Sequence, residues 1–127
     1  FAHDTVTHNG QPFIFSPRPP APPVYIGGRG PHAFDRALRF GHGWLPMARD
    51  PETLARDLAE YRARANALGV APGPVSAMAG LPLDRPDAAA DRIAAYRALG
   101  IERLVCALRY TTLDEYLAQL DALAAMR

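Results

Sequence analysis

From Pro23 onward, short apolar runs alternate with longer stretches of helical period four times over, and this alternation constrains the fold more than any other feature. "VYIGG" has the composition of a buried strand. "PHAFDRALRF" follows it, with Ala33, Phe34, Ala37 and Leu38 on one helical face and Gly41 at its end. "GWLP" reads as a second short strand. Asp50 is placed to cap a helix whose first residue is Pro51, and Leu54, Leu58, Tyr61, Ala65 and Leu68 recur at helical spacing until Gly69 stops it. "VSAMAGL" is a third strand. Pro86 or Asp87 opens a helix carrying Ala89, Ile93, Tyr96 and Leu99, Gly100 ends it, and "IERLVCAL" is a fourth strand. Thr112 and Glu115 have the spacing of a capping box for the last helix, whose Leu113, Leu117, Leu120 and Ala124 are expected to face inward.

Serial βα units demand a parallel sheet, because adjacent parallel strands need the long return that a helix supplies. A weak internal echo agrees, since "ALGVAPGPVSAM" and "ALGIERLVCAL" both run from a helix end through glycine into an apolar strand. Two arrangements satisfy this pattern, an open doubly wound sheet or part of a barrel. A closed (β/α)₈ barrel takes about 250 residues. At 127 residues and four units the chain is half of that.

The first 22 residues are of another kind. They show little periodicity, and up to Pro23 the chain spends six of its 13 prolines, which reads as an extended insertion or linker ahead of a domain at 23–127. Within it, Asn9 and Gly10 in "HNGQPFIF" signal a small hairpin. The chain opens at Phe1 without methionine, which raises the expectation that it is the middle of something longer. Formal net charge is +1, so no global field argues for nucleic acid or an anionic membrane as a partner. All 14 basic residues are arginine, a bias that, with the heavy use of alanine and leucine, reads as coding composition. Cys106 alone cannot form an intramolecular disulfide, and no signal peptide or bilayer-length apolar run is present. The expectation is a soluble cytoplasmic protein.

Three glycines in "GGRG", Gly27, Gly28 and Gly30, separate the first apolar run from the helix after it. They form neither a G-x-G-x-x-G fingerprint nor a P-loop, and a tight turn needing positive φ would account for them. The same bareness would let backbone N–H groups approach phosphate oxygens, with the helix N-terminus adding its positive dipole.

The run "PPVYIGGRGPHAFDRALRFGHGWLP", residues 22–46, is similar to the strand-helix-strand segment of luciferase-like monooxygenases: an apolar strand, Gly-Gly, a helix rich in Ala and Arg, then Gly-Asp-Gly-Trp. "LDRPDAAADRIAAYRALGIERLV" resembles that family's penultimate helix and last barrel strand, and "DTVTHNGQPFIFSPRP" the insertion before its fifth strand. The resemblance is closest to members described as coenzyme F420-dependent oxidoreductases. Two positions depart from the pattern: His42 replaces the usual aspartate, and Arg29 stands where many members carry serine or threonine.

The resemblance implies an α/β fold of (β/α)₈ TIM-barrel type, with this chain supplying the last four βα units. It implies an oxidoreductase that passes hydride between reduced coenzyme F420, or alternatively FMN, and a small organic substrate. This half would hold the cofactor's phosphate end at Gly27, Gly28, Arg29 and Gly30; catalytic residues would lie in the upstream units and none is assigned here.

Several further residues have two readings each. Arg29 is a phosphate partner or a solvated arginine, and His32, in the first helical turn, reaches a phosphate or is simply exposed. Trp44 stacks on a ring system or plugs the core. Arg109, with Tyr110 after the fourth strand, contacts a phosphate or cofactor tail, or is surface. Met47, Met78 and Cys106 read as packing. His3, Asp4 and His8 superficially resemble a metal cluster but lack a further ligand at useful spacing. An apolar sheet face, formed among Val24, Ile26, Leu45, Met78, Leu104 and Cys106, would need covering by the upstream half or a second copy. The alternative from another class is a non-catalytic half-barrel that binds a phosphorylated ligand.

Overall fold

The computed structural model describes residues 5–14, 20–48 and 50–126. Strands β1 (Thr5–His8) and β2 (Gln11–Ile14) pair antiparallel, with His8 opposite Gln11. The turn between them places Asn9 at φ 49 and Gly10 at φ 73. Both central residues are left-handed, as a two-residue hairpin with the twist of its flanking strands requires.

Beyond the hairpin come β3 (Tyr25–Gly27), α1 (Pro31–Phe40), β4 (Gly43–Leu45), α2 (Pro51–Leu68), β5 (Ser76–Ala79), α3 (Pro86–Ala98), β6 (Arg103–Cys106) and α4 (Leu113–Ala124). β3 pairs parallel with β4, and β5 with β6. The two pairs are joined by parallel bridges at Trp44–Val75 and Met47–Met78, with Trp44 N donating to Pro74 O at 3.0 Å and Met78 N to Pro46 O at 2.8 Å. The strands therefore lie side by side in chain order, without the order reversal of a doubly wound sheet.

Period-two alternation sorts the strand residues. Ile26, Trp44, Ala77 and Leu104 turn to one side, where Phe34 and Ala37 of α1, Leu54, Leu58 and Tyr61 of α2, and Tyr96 of α3 form the core. Phe34 meets Trp44 edge-on at 5.0 Å, and Tyr61 lies 5.2 Å from the indole. Leu45, Met78 and Val105 have the opposite parity and face away from these helices. The expectation for the uncovered face is corrected accordingly: Ile26 and Leu104 belong to the helix side, Cys106 shares their parity, and Val105 takes a place on the open side. Val24, ahead of β3, is 46 % exposed.

Helix ends follow local chemistry. Asp50 Oδ1 accepts from Thr53 N at 2.7 Å, Gly69 closes α2 in the left-handed region, and Thr112 with Glu115 makes the reciprocal capping box of α4. Two expectations about helix faces are corrected. Leu68 is exposed, because the 18-residue α2 runs past the three- and four-residue strands it covers. No residue of α4 is buried, and Leu113, Leu117, Leu120 and Ala124 face outward, because none of the described elements covers that helix face. Among the described residues no helix is long and apolar enough to cross a membrane.

The start of β4 is unusually close-packed. A Cβ at Gly43 would sit 2.5 Å from Pro74 O, and one at Gly73 would overlap His42 O. His42 itself is tied to the neighbouring strand twice: its N donates to Val24 O at 2.7 Å, and its Nδ1 accepts from Val24 N at 3.0 Å. An aspartate oxygen could accept the same N–H, so histidine in place of aspartate keeps the local hydrogen bonding.

Candidate functional site

The carboxyl ends of the four parallel strands surround one cleft of about 430 Å³. Arg29 reaches it from the β3 end, Ala48 from β4, Ala79 and Gly80 from β5, and Ala107 and Arg109 from β6. Met47 and Met78 line it as well, so the reading of these methionines as packing is corrected: both contribute to the cleft wall, and Met47 is 61 % exposed. Ligands of parallel α/β folds bind at this end, because the loops there are free of sheet hydrogen bonding and the following helices point their N-termini at it.

At the β3 end the turn is built as the glycines suggest. Gly28 has φ 111 and Gly30 φ 79, and Gly30 is the N-cap of α1. α1 has no side-chain cap and no acidic residue in its first turn, whereas α2 and α4 have both and α3 has Asp87 in its first turn. The α1 N-terminus thus keeps its positive dipole end without a protein anion to answer it. A side chain at Gly28 would put its Cβ 3.2 Å from the Cβ of Ala33, inside the first turn of α1.

Trp44 supports this turn from behind. Its ring is fully buried, and its Nε1 donates to Gly28 O at 2.8 Å. The expectation that it stacks on a cofactor ring is corrected, since no face of the indole is open to a ligand. Its hydrogen bond instead holds the Gly28 carbonyl.

Arg29 is neither free nor simply solvated. Its Nε and Nη2 donate to Asp57 of α2 at 2.6 and 3.1 Å, a bidentate pair. That hydrogen bonding, then the Asp57 charge, raises the guanidinium further above its ordinary value. Asp57 has no motif signal: it lies 28 residues away and meets Arg29 only through the α1–α2 packing. Among the described residues Nη1 has no partner, which leaves it available to a ligand in the cleft.

His32 is exposed on the first turn of α1 and does not line the cleft; Gly27, Gly28 and Gly30 flank it without lining it. Arg29 and Arg109 are the two expected site residues that the fold brings to one cleft. Arg109 O accepts from Gln119 Nε2 at 2.8 Å, and Thr111 N and Thr112 N donate to Glu115 Oε2 at 2.7 and 3.3 Å, so α4 fixes this loop at two points. Burial pushes the Cys106 thiol up, which leaves it a poor nucleophile near neutrality. Among the described residues no group of acidic, histidine or cysteine side chains could hold a metal ion. His3 and Asp4 lie outside the described residues, and of His8 only the backbone is described.

The profile of the luciferase-like monooxygenases matches residues 1–101, from the hairpin through α3. β6, α4 and Arg109 lie beyond the matched stretch. A comparison with curated proteins gave no match.

Proposed function

The chain belongs to the luciferase-like monooxygenase family, and from that premise we propose that it is part of an oxidoreductase whose cofactor phosphate rests on the Gly28–Gly30 turn. Family membership itself points to an oxidoreductase of TIM-barrel fold, with flavin or F420 as the usual cofactors. The observation that carries the finer reading is the bare start of α1. It combines two positive-φ glycines, a helix N-terminus with neither a capping side chain nor an acidic first turn, and an arginine with free donors beside the cleft. These are the groups a phosphate dianion needs: backbone N–H donors, a dipole and a forked cation.

When bound, coenzyme F420 or FMN supplies the hydride chemistry. The residues here bind and orient it. The His32 N–H, at the open end of α1, and the Arg29 guanidinium would hold the phosphate. Asp57 keeps Arg29 from swinging out to solvent, and Trp44 keeps the turn from collapsing by holding Gly28 O. Coenzyme F420 is preferred to FMN on resemblance, since both offer a phosphate to this end.

The sequential strand order, with helices on one side, further supports a reading of these four units as the fifth to eighth of a (β/α)₈ barrel. The apolar face of Leu45, Met78 and Val105 would then be covered by the other units, or by a second copy of the chain. Titrating wild-type protein with FMN and with coenzyme F420 tests the cofactor reading. Saturable binding of one of them, lost in a folded Gly28→Val variant, is the expected result; unchanged affinity in that variant removes the turn from the site.

A further inference from the structure

We infer that the substrate of this site is an organic anion, whose carboxylate or phosphate group is held by Arg109 at the opposite edge of the cleft from the Arg29 turn. The inference rests on the cofactor reading above and adds a second charged anchor to it. β3 and β6 are the outer members of the four described strands in this sheet, so Arg29 and Arg109 stem from positions roughly 14 Å apart across three strand spacings. With the Arg29 guanidinium paired to Asp57 of α2, Arg109 offers an anion a separate point of attachment.

The two arginines differ in how their charge is answered. Arg29 is answered by Asp57 at 2.6 Å, which leaves that edge close to neutral before any ligand arrives. Arg109 makes no ion pair among the described residues. Asp84 lines the adjoining cleft of about 380 Å³ together with Arg109, yet no salt bridge joins them. The Arg109 backbone is held by Gln119, so ordering this arginine around an anion demands only side-chain restriction.

Between the two edges the described wall residues, Met47, Ala48, Met78, Ala79 and Ala107, are apolar and uncharged. It suits the hydrocarbon body of a small molecule and places no carboxylate where it would repel an anion. At about 430 Å³ the cleft falls in the range of small-molecule sites. The ligand that fits has an apolar body and one anionic end, with the body directed from Arg109 toward the cofactor edge.

Calorimetric titration with 3-phenylpropanoate, phenyl phosphate and the neutral 3-phenylpropanamide tests this, each with and without FMN or coenzyme F420 present. Both anions are expected to bind in competition with one another, and the amide at least ten-fold more weakly. Arg109→Gln is expected to weaken both anions about 10- to 100-fold, the scale of one charge-assisted hydrogen bond. Arg109→Lys should recover part of that loss, and circular dichroism should show both variants folded. Affinity for the cofactor is expected to be the same in wild type and Arg109→Gln. The inference is overturned if the amide binds as tightly as the acid, or if Arg109→Gln leaves anion binding unchanged. It is also overturned if Arg109→Gln weakens the cofactor as much as the anions, which makes Arg109 a cofactor contact and leaves the proposed function standing. Anion binding through Arg109 in a protein that takes up neither cofactor would remove the oxidoreductase reading while retaining the anion site.

Discussion

Replacing Gly28 with alanine perturbs the turn by a single methyl group, and the structure supplies the terms of its cost. Gly28 sits at φ 111, where a non-glycine residue pays a strain of about 1–3 kcal/mol. The new Cβ would also stand 3.2 Å from the Cβ of Ala33, tighter than ordinary van der Waals contact. Ala33 is buried at 3 % exposure and cannot turn aside, so the first turn of α1 must shift by a few tenths of an ångström. Gly30→Ala is the matched control for stability: its φ is 79, and a Cβ there meets nothing within 4 Å. Backbone strain of about 1–3 kcal/mol applies at both positions, since Gly30 has φ 79 and ψ 179, and Gly28→Ala is expected to lose more than Gly30→Ala through the Ala33 contact. Urea midpoints at constant slope measure both. Because the Gly28 substitution displaces the amides at the start of α1, affinity for FMN or coenzyme F420 should fall more than about ten-fold in a variant that is still folded. Wild-type affinity in folded Gly28→Ala would refute the placement of phosphate on this turn, and equal urea midpoints for the two variants would refute the Ala33 term.

Three other perturbations have defined outcomes. His42→Ala removes the acceptor for Val24 N–H and should cost up to about 1 kcal/mol, since both groups reach water, whereas His42→Asp should retain most of the wild-type midpoint. The Asp50 and Glu115 carboxyls are held below their ordinary values, Asp50 by the Thr53 backbone N–H and Glu115 by those of Thr111 and Thr112. A depressed folded-state value means that the caps stabilise fully above the ordinary carboxylate range and lose their effect as pH falls through the depressed values. Asp50→Asn with Glu115→Gln should therefore flatten the acid limb of a melting-temperature profile, and an unchanged limb would contradict the capping account. Finally, Val105→Glu places a charge on the sheet face opposite α1–α3; sedimentation should show dimers or larger species for the 127-residue chain and a shift toward monomer in the variant. A monomeric wild-type chain would show that this face needs no partner.

Much of this architecture was legible in the sequence because it depends on neighbours along the chain. Asp50 before Pro51, Thr112 three residues before Glu115, and Gly69 after the last apolar repeat of α2 each act within one helical turn, so spacing alone places them. Asn9-Gly10 sets its hairpin in the same way. The glycines at 27, 28 and 30 announced a backbone free of side chains, although spacing could not say which of them would need positive φ; Gly27 does not.

Tertiary structure decided everything that depends on which face meets what. Trp44 is compatible in sequence with a stacking ring or a core ring, and only the convergence of Phe34, Tyr61 and the Gly28 carbonyl on its two sides made it core. The bond between Arg29 and Asp57 joins residues 28 apart, through the packing of two helices that no local pattern encodes. The parity of each strand, which sent Ile26 and Leu104 to the helices and Val105 to the open face, is a matter of register between strands. A shift of one residue would exchange the two faces without altering a single local propensity. Local chemistry thus determined the order of the elements and the caps of α2 and α4, while lateral pairing and helix packing decided how far each strand extends and which side chains line the cleft, because only those contacts bring distant residues to one place.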